Sequence, residues 1–172
     1  MPAHIAPYKS ENAEDPGAEH RLAMCRLAVA GVDGLAVSAL ELERGGVSYT
    51  VDTLTALQAS DPGAELTLIV GADVASTLSS WREPARLLAL ARLAVAGRPG
   101  SSRQGLLDQL AALSAEAPAR ARFLEMAPLA VSSSLVRERA ARGEPIEELV
   151  GAPVARYIAE HDLYRVSSGV ST

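Results

Sequence analysis

The chain has 172 residues, 48% hydrophobic and 22% charged, and its 16 basic and 21 acidic side chains give a formal net charge of −5. Such a chain can bury one core of ordinary size, which excludes disorder and predicts a single domain over residues 1–165 with a flexible tail at 166–172. The slightly negative charge excludes a polybasic protein that binds nucleic acid or anionic membranes. No apolar run approaches the roughly 18 residues that span a bilayer.

The first forty residues predict a helix followed by a strand. The start, Met1–His4, lacks the basic and then apolar segments of a secretion signal, so a cytoplasmic protein is expected. Asp15-Pro16 predicts a helix that runs to Ala30. This helix holds Cys25, the only cysteine, which excludes an internal disulfide and a cysteine-based zinc site. The apolar run 35–40 then predicts a strand.

The middle of the chain alternates helix and strand signals. Helices are predicted from Ser48 or Thr50 to Ala59, around 74–79, and from Glu83-Pro84 to Leu90. The unbroken apolar run at 66–70 predicts a strand of a parallel sheet covered on both faces, and a second strand follows at 93–96.

The last third continues the alternation. The sequence predicts helices at 104–115, 133–142 and 153–161, with a strand at 122–126. Alternating elements with short connections indicate an α/β fold, a Rossmann-like open sheet that is mostly parallel and has helices on both faces. Ligands of such sheets bind beyond the carboxyl ends of the strands.

Two candidate sites carry groups suited to a nucleotide. Gly71-Ala72-Asp73 follows the strand at 66–70, where a carboxylate can accept hydrogen bonds from both ribose hydroxyls; the alternative is that Asp73 caps a helix starting at Val74. Ser132-Ser133-Ser134 with Arg137 forms a helix start suited to phosphate; the alternative is a serine cap with a solvated arginine.

Two further candidates suit a planar, acidic group. The segment at 46–53 opens a helix with hydroxyls that can bind a carboxylate, although ordinary capping is the favoured interpretation of this segment taken alone. Trp81 is the only tryptophan in a chain with 3% aromatic residues, and its indole suits stacking on a planar ring or packing in a core.

In this order the segments resemble the bacterial nicotinate-nucleotide adenylyltransferases of the nucleotidyltransferase α/β superfamily. Eight matching stretches extend across nearly the whole chain: Pro7-Tyr8-Lys9, Arg21-Leu22-Ala23-Met24, Ser48-Tyr49-Thr50-Val51-Asp52-Thr53-Leu54, Gly71-Ala72-Asp73, Trp81, Gly97-Arg98-Pro99-Gly100, Val131-Ser132-Ser133-Ser134-Leu135-Val136-Arg137, and Val154-Ala155-Arg156-Tyr157-Ile158 with Leu163-Tyr164.

The resemblance implies a reaction of NAD biosynthesis. The 5′-phosphate of nicotinate mononucleotide attacks the α-phosphorus of ATP with the help of Mg²⁺, and the products are deamido-NAD and pyrophosphate. ATP and the mononucleotide are then the binding partners, and no residue of the chain is assigned as a metal ligand. The oligomeric state stays open, and a homo-oligomer is one of the possibilities.

The resemblance also implies roles for particular residues. Tyr49 and Thr50 contact the nicotinate carboxylate, and Trp81 stacks on the pyridine ring. On the ATP side, Asp73 binds the ribose, and Gly71 gives it room. The triphosphate is held by Ser132, Ser133, Ser134 and Arg137, and Lys9 is a basic residue near the reacting phosphates, so that Lys9 and Arg137 are the catalytic candidates.

The most specific element of the superfamily is absent from the sequence. That element is an N-terminal His-x-Gly-His, whereas the only histidines here are His4, His20 and His161. Met1–His4 aligns with the end of the family's second strand, so the N-terminal βα unit is missing and we expect the functional protein to begin several tens of residues upstream. The alternatives are a truncated relative that only binds a nucleotide and an enzyme similar to pantetheine-phosphate adenylyltransferase.

Overall fold

A computed structural model describes residues 1–7, 15–97, 103–127 and 130–165. The chain forms two compact units, one of Met1–Ser48 with Ala130–Thr172 and the other of Tyr49–Leu129. The single domain over 1–165 stays a prediction. The predictions for Lys9 and for the tail at 166–172 lie outside the described residues.

The helices and strands follow the predicted alternation over most of the chain. In chain order they are α1 (Ala18–Val29), α2 (Leu40–Arg44), α3 (Thr50–Ser60), β1 (Leu66–Gly71), α4 (Ala72–Ala75), a 3₁₀ turn (Leu78–Ser80), α5 (Pro84–Leu90), β2 (Ala91–Ala96), α6 (Arg103–Leu113), a second 3₁₀ turn (Pro118–Arg120), β3 (Ala121–Leu124), α7 (Ser133–Ala141), α8 (Glu147–Val150) and α9 (Ala152–Glu160). Within the described ranges, no helix is long and apolar enough to cross a membrane.

The unit at 49–129 is built on a parallel sheet with the strand order β1-β2-β3. Leu66 lies opposite Ala91, and Leu93 lies opposite Ala121, so all three strands end at the same edge. This confirms the predicted parallel α/β architecture. Beneath the sheet lies one core, formed by α3, α5, α6 and the inward side chains of β2: Val51, Leu54, Leu87, Leu88, Leu93, Val95, Leu106 and Leu110.

The other face of the sheet corrects one expectation. Along β1, Leu66, Leu68 and Val70 are half-buried, whereas Thr67 and Ile69 are exposed, Ile69 to 66%. The prediction that this strand is covered on both faces is therefore wrong. An uninterrupted apolar run does not report which face a neighbouring helix covers, because every second side chain points the other way.

The predicted strand at 35–40 is also wrong. Leu35 is 58% exposed, and α2 begins at Leu40, whose N–H is accepted by the Ser38 hydroxyl at 3.2 Å. A strand needs a neighbour for its backbone groups, and a local side-chain bond offers the backbone an alternative. Among the described residues of the unit formed by the chain ends, the strand pairing is limited to a single bridge between Ile5 and Val47, which does not include residues 35–40.

The unit formed by the two ends of the chain has its own core. Helix α1 packs on α9, and α8 was not predicted from the sequence. The Arg21 guanidinium donates to the carbonyls of Ala3 and His4, at 2.6 and 3.2 Å, which holds the N-terminal segment against α1. The core side chains come from α7, from α9 and from the segments that follow each of them: Val136, Ile146, Val154, Ala155, Ile158 and Leu163.

Candidate functional site

Asp73 lies at the carboxyl end of β1, the edge at which parallel sheets bind ligands. Strand β1 ends at Gly71, and α4 begins at Ala72 without a side-chain cap, so the alternative that Asp73 caps a helix starting at Val74 is wrong. A Cβ placed on Gly71 would lie 2.5 Å from Asp73 Oδ1. The room that this glycine provides is therefore occupied by the carboxylate of Asp73.

Trp81 is joined to Asp73 through a compact segment. The Ser76 hydroxyl donates to the Asp73 carbonyl at 2.6 Å, and the Thr77 hydroxyl donates to the Val74 carbonyl at 2.8 Å. Trp81 Nε1 in turn donates to Thr77 Oγ1 at 3.1 Å. The indole packs against the core but is only partly buried, so its orientation is set while part of its surface stays available for stacking.

Tyr49 and Thr50 form the start of α3. The Tyr49 carbonyl accepts the N–H groups of Asp52 and Thr53, at 3.1 and 3.2 Å, and its ring packs against the same core as Trp81. Among the described residues, the hydroxyl of Thr50 has no hydrogen-bond partner. The hydroxyl and the first N–H groups of the helix can therefore donate hydrogen bonds to an external carboxylate.

Arg82 is a residue at this site that sequence reasoning missed. Its guanidinium lies 4.7 Å from the centroid of the Tyr49 ring, and its Nη1 lies 3.4 Å from Asp52 Oδ2. Arg82 thus ties the segment that holds Trp81 to the first turn of α3, and its charge is paired with Asp52 and with Glu83, at 3.4 and 3.7 Å. The available signal was its position, since it directly follows the only tryptophan of the chain.

The serine run starts α7 in the unit formed by the chain ends. The Ser132 hydroxyl accepts the N–H of Leu135 at 3.1 Å, so the capping alternative holds for this serine. Ser133 and Ser134 are exposed in the first turn, and Arg137 Nη2 donates to Ser134 Oγ at 3.4 Å. Hydroxyls, N–H groups of the first turn and a guanidinium thus lie together, a donor set that suits phosphate.

Tyr164 lies close to Arg137 in the same unit. Burial raises the pKa of its phenol above the ordinary value, and the positive charge of Arg137 partly opposes the rise. The phenol is therefore neutral at physiological pH and does not neutralise the arginine. In the part of the chain that the structure describes, no three His, Cys, Asp or Glu side chains come together in a way that could hold a metal ion.

Comparison with known families and curated proteins gives a consistent result. A cytidylyltransferase-like family profile matches residues 8–139. A probable nicotinate-nucleotide adenylyltransferase of Bordetella avium (strain 197N) is 44% identical over 148 residues, which cover 86% of this chain and 73% of that protein. One from Symbiobacterium thermophilum is 41% identical over 164 residues, which cover 95% of this chain and 78% of that protein.

Solved structures share the fold at lower identity. The nicotinic acid mononucleotide adenylyltransferase of Plasmodium falciparum, complexed with NaAD, superposes with a TM-score of 0.67 at 16% identity and covers 94% of this chain and 78% of its own. The same enzyme complexed with APC gives a TM-score of 0.62 at 15% identity, with 87% and 76% covered. At this identity the likeness shows the nucleotidyltransferase-like fold.

Proposed function

We propose, since this chain belongs to the nicotinate-nucleotide adenylyltransferases of the cytidylyltransferase-like family, that it transfers the adenylyl group of ATP to nicotinate mononucleotide. The products are deamido-NAD and pyrophosphate, a step of NAD biosynthesis. The observation that carries the proposal is the position of Asp73 at the carboxyl end of β1: its carboxylate lies against Gly71, and its backbone carbonyl accepts the Ser76 hydroxyl, which belongs to the segment that orients Trp81.

The reaction requires the two substrates to be held in the correct geometry and does not require a general base. An oxygen of the mononucleotide 5′-phosphate forms a bond to the α-phosphorus, and the bond from that phosphorus to the bridging oxygen of the β-phosphate breaks, so pyrophosphate leaves with the electron pair. The attacking phosphate is already ionised, and no proton has to be removed. The protein therefore lowers the barrier by holding two anions in line and by stabilising charge on the transferring group.

On the ATP side, we assign Asp73 to the ribose hydroxyls because its carboxylate is exposed and lies in the first turn of α4. Ser132, Ser133, Ser134 and Arg137 hold the triphosphate, and Lys9 adds positive charge near the reacting phosphates. Mg²⁺ enters as the complex with ATP, in which phosphate oxygens and water molecules are ligands of the ion. We further propose that the enzyme works in the cytoplasm.

On the mononucleotide side, Thr50 and Tyr49 take the pyridine carboxylate, and Trp81 stacks on the ring. Arg82 supports both contacts, because it binds the Tyr49 ring and Asp52 on one helix and directly follows Trp81 in the chain. The Arg82 charge is compensated by Asp52 and Glu83, at 3.4 and 3.7 Å, so we assign Arg82 to positioning the Tyr49 ring.

Gly71→Ala is expected to weaken ATP binding about tenfold, because the new methyl group forces the Asp73 carboxylate away and a hydrogen bond to a charged group contributes ~1.5–3 kcal/mol. Gly71 has a φ of −69°, so alanine fits the backbone itself. Titration calorimetry with ATP measures the effect, and Gly63→Ala is the matched control, since its Cβ would lie 3.6 Å from Asp61 Oδ1. Equal ATP affinity in both variants would contradict the assignment of Asp73.

Trp81→Ala is expected to raise the KM for nicotinate mononucleotide about tenfold while changing the KM for ATP less than twofold, because stacking on an aromatic side chain contributes ~1–3 kcal/mol. Steady-state kinetics with each substrate varied in turn gives both constants. Trp81→Phe keeps an aromatic ring but loses the hydrogen bond to Thr77. Its KM for nicotinate mononucleotide should lie between those of the parent chain and of Trp81→Ala. A rise in the KM for ATP alone would contradict this assignment and would indicate that Trp81 contacts ATP.

The proposed function itself is tested with the full chain, ATP, Mg²⁺ and nicotinate mononucleotide, with deamido-NAD and pyrophosphate measured by chromatography and mass spectrometry. Formation of both products in equal amounts supports it. Binding of the mononucleotide without turnover would instead indicate a protein that only binds a nucleotide. Transfer to phosphopantetheine but not to the mononucleotide would assign the chain to the other adenylyltransferase class.

A further inference from the structure

A cavity of about 450 Å³ lies at the amino ends of the three strands in the unit at 49–129. It is lined at the start of β1 by Glu65 and Leu66, at the start of β2 by Arg92, and around the start of β3 by Arg120 and Arg122. Because the strands are parallel, this edge of the sheet is the one opposite Gly71 and Asp73. The proposed catalytic chemistry uses none of these residues.

The lining of the cavity has more basic than acidic side chains, in a chain whose net charge is −5. Three arginines line it against a single glutamate. Arg122 pairs in register with Ala94, and Arg92 lies two residues before Ala94 on the same strand, so the two exposed arginines lie on the same face of neighbouring strands.

The protein neutralises only part of this charge. Arg92 Nη2 donates to Glu65 Oε1 at 2.9 Å. Arg120 Nη1 donates to the carbonyls of Leu88 and Ala89, at 3.0 and 2.9 Å, so this arginine closes the carboxyl end of α5. Arg122 makes no hydrogen bond or ion pair with any described residue. Its forked donor group is therefore available to a ligand.

We propose that this cavity is a second anion site, which binds a small molecule through a phosphate group. Arg122 supplies the main pair of donors, Arg92 supplies a further donor beside it, and Arg120 holds the wall formed by the end of α5. The guanidinium fork matches the spacing of phosphate oxygens. The volume is within the range of small-molecule sites and admits either a free diphosphate or the phosphate of a nucleotide.

The site is tested by titrating the ¹⁵N-labelled full chain with sodium pyrophosphate, and separately with AMP, at constant ionic strength while amide chemical shifts are recorded. We expect saturable shifts at Arg92 and Arg122 with one or both probes. The probe that binds more tightly identifies the source of the phosphate group. Arg122→Gln should weaken this binding at least fivefold, and Arg122→Lys, which keeps the charge without the fork, should lie between.

The matched control is Arg26→Gln, which makes the same change of charge at an exposed position on α1. This variant should bind the probes as the parent chain does. Three results would each overturn the proposal: shifts at Arg92 and Arg122 that never saturate, equal weakening in Arg26→Gln and Arg122→Gln, or saturable shifts confined to the first turn of α7. The outcome is independent of whether the chain transfers an adenylyl group.

Discussion

Arg137→Ala is expected to lower kcat for dinucleotide formation roughly 100-fold with little change in the KM for nicotinate mononucleotide, because a donor aimed at charge that develops in the transition state contributes ~2.7–4 kcal/mol. Arg137 lies one turn after Ser133 and donates to the hydroxyl of Ser134, so its guanidinium is part of the donor set at the start of α7. Steady-state kinetics at saturating ATP measures the change.

Two further variants separate a lost interaction from a lost fold. Arg137→Lys keeps the positive charge without the fork and should recover part of kcat. Arg156→Ala removes an exposed arginine from α9 and should leave kcat unchanged. An Arg137→Ala enzyme with the parent kcat, or one in which only the mononucleotide KM rises, would remove Arg137 from the phosphate site.

Leu93→Ala is expected to lower the free energy of unfolding by about 3 kcal/mol, because it deletes a leucine that is 2% exposed in the central strand and leaves a cavity that its neighbours fill only partly. Leu93 packs within the core that α3, α5 and α6 share with β2. Urea unfolding followed by circular dichroism measures the change, with the slope of the transition compared between variants.

The control for this prediction is Leu35→Ala. Leu35 belongs to the run that looks like a strand in the sequence but is 58% exposed in the structure, so its truncation should cost less than about 0.5 kcal/mol. A cost of 2 kcal/mol or more at Leu35 would restore the buried strand at 35–40, and a negligible cost at Leu93 would contradict the central place of β2 in the core.

The local signals in the sequence predicted most elements of the fold. Proline at the start of α5, the apolar run of β1 and the spacing of the apolar residues in α6 each act within a few neighbouring residues, and the structure confirms all three elements. The strand at 35–40 failed because an apolar run satisfies its backbone only when a second strand lies beside it. The short helix α8 has four residues, too few for a periodic pattern.

Some features of the candidate site could likewise be predicted from the sequence, and others could not. The pattern of residues along the chain was enough to nominate Asp73, Trp81, Thr50 and the serine run, because each belongs to a short segment with its own chemistry. Their assigned roles stay proposals. The contact of Arg82 with the Tyr49 ring was not predictable, since the two residues are far apart in sequence and meet only when the segment after β1 packs beside α3.

By itself, the sequence determined the class of the protein: the order of helices and strands, the parallel sheet and the hydroxyl, carboxylate and aromatic groups at the ends of its elements. Only the tertiary structure decided that the Asp73 carboxylate occupies the space above Gly71, that Ile69 faces outward, and that three arginines surround one cavity. The physical reason is that propensity and capping act between residues close in the chain, whereas burial and charge pairing depend on which elements the folded backbone brings side by side.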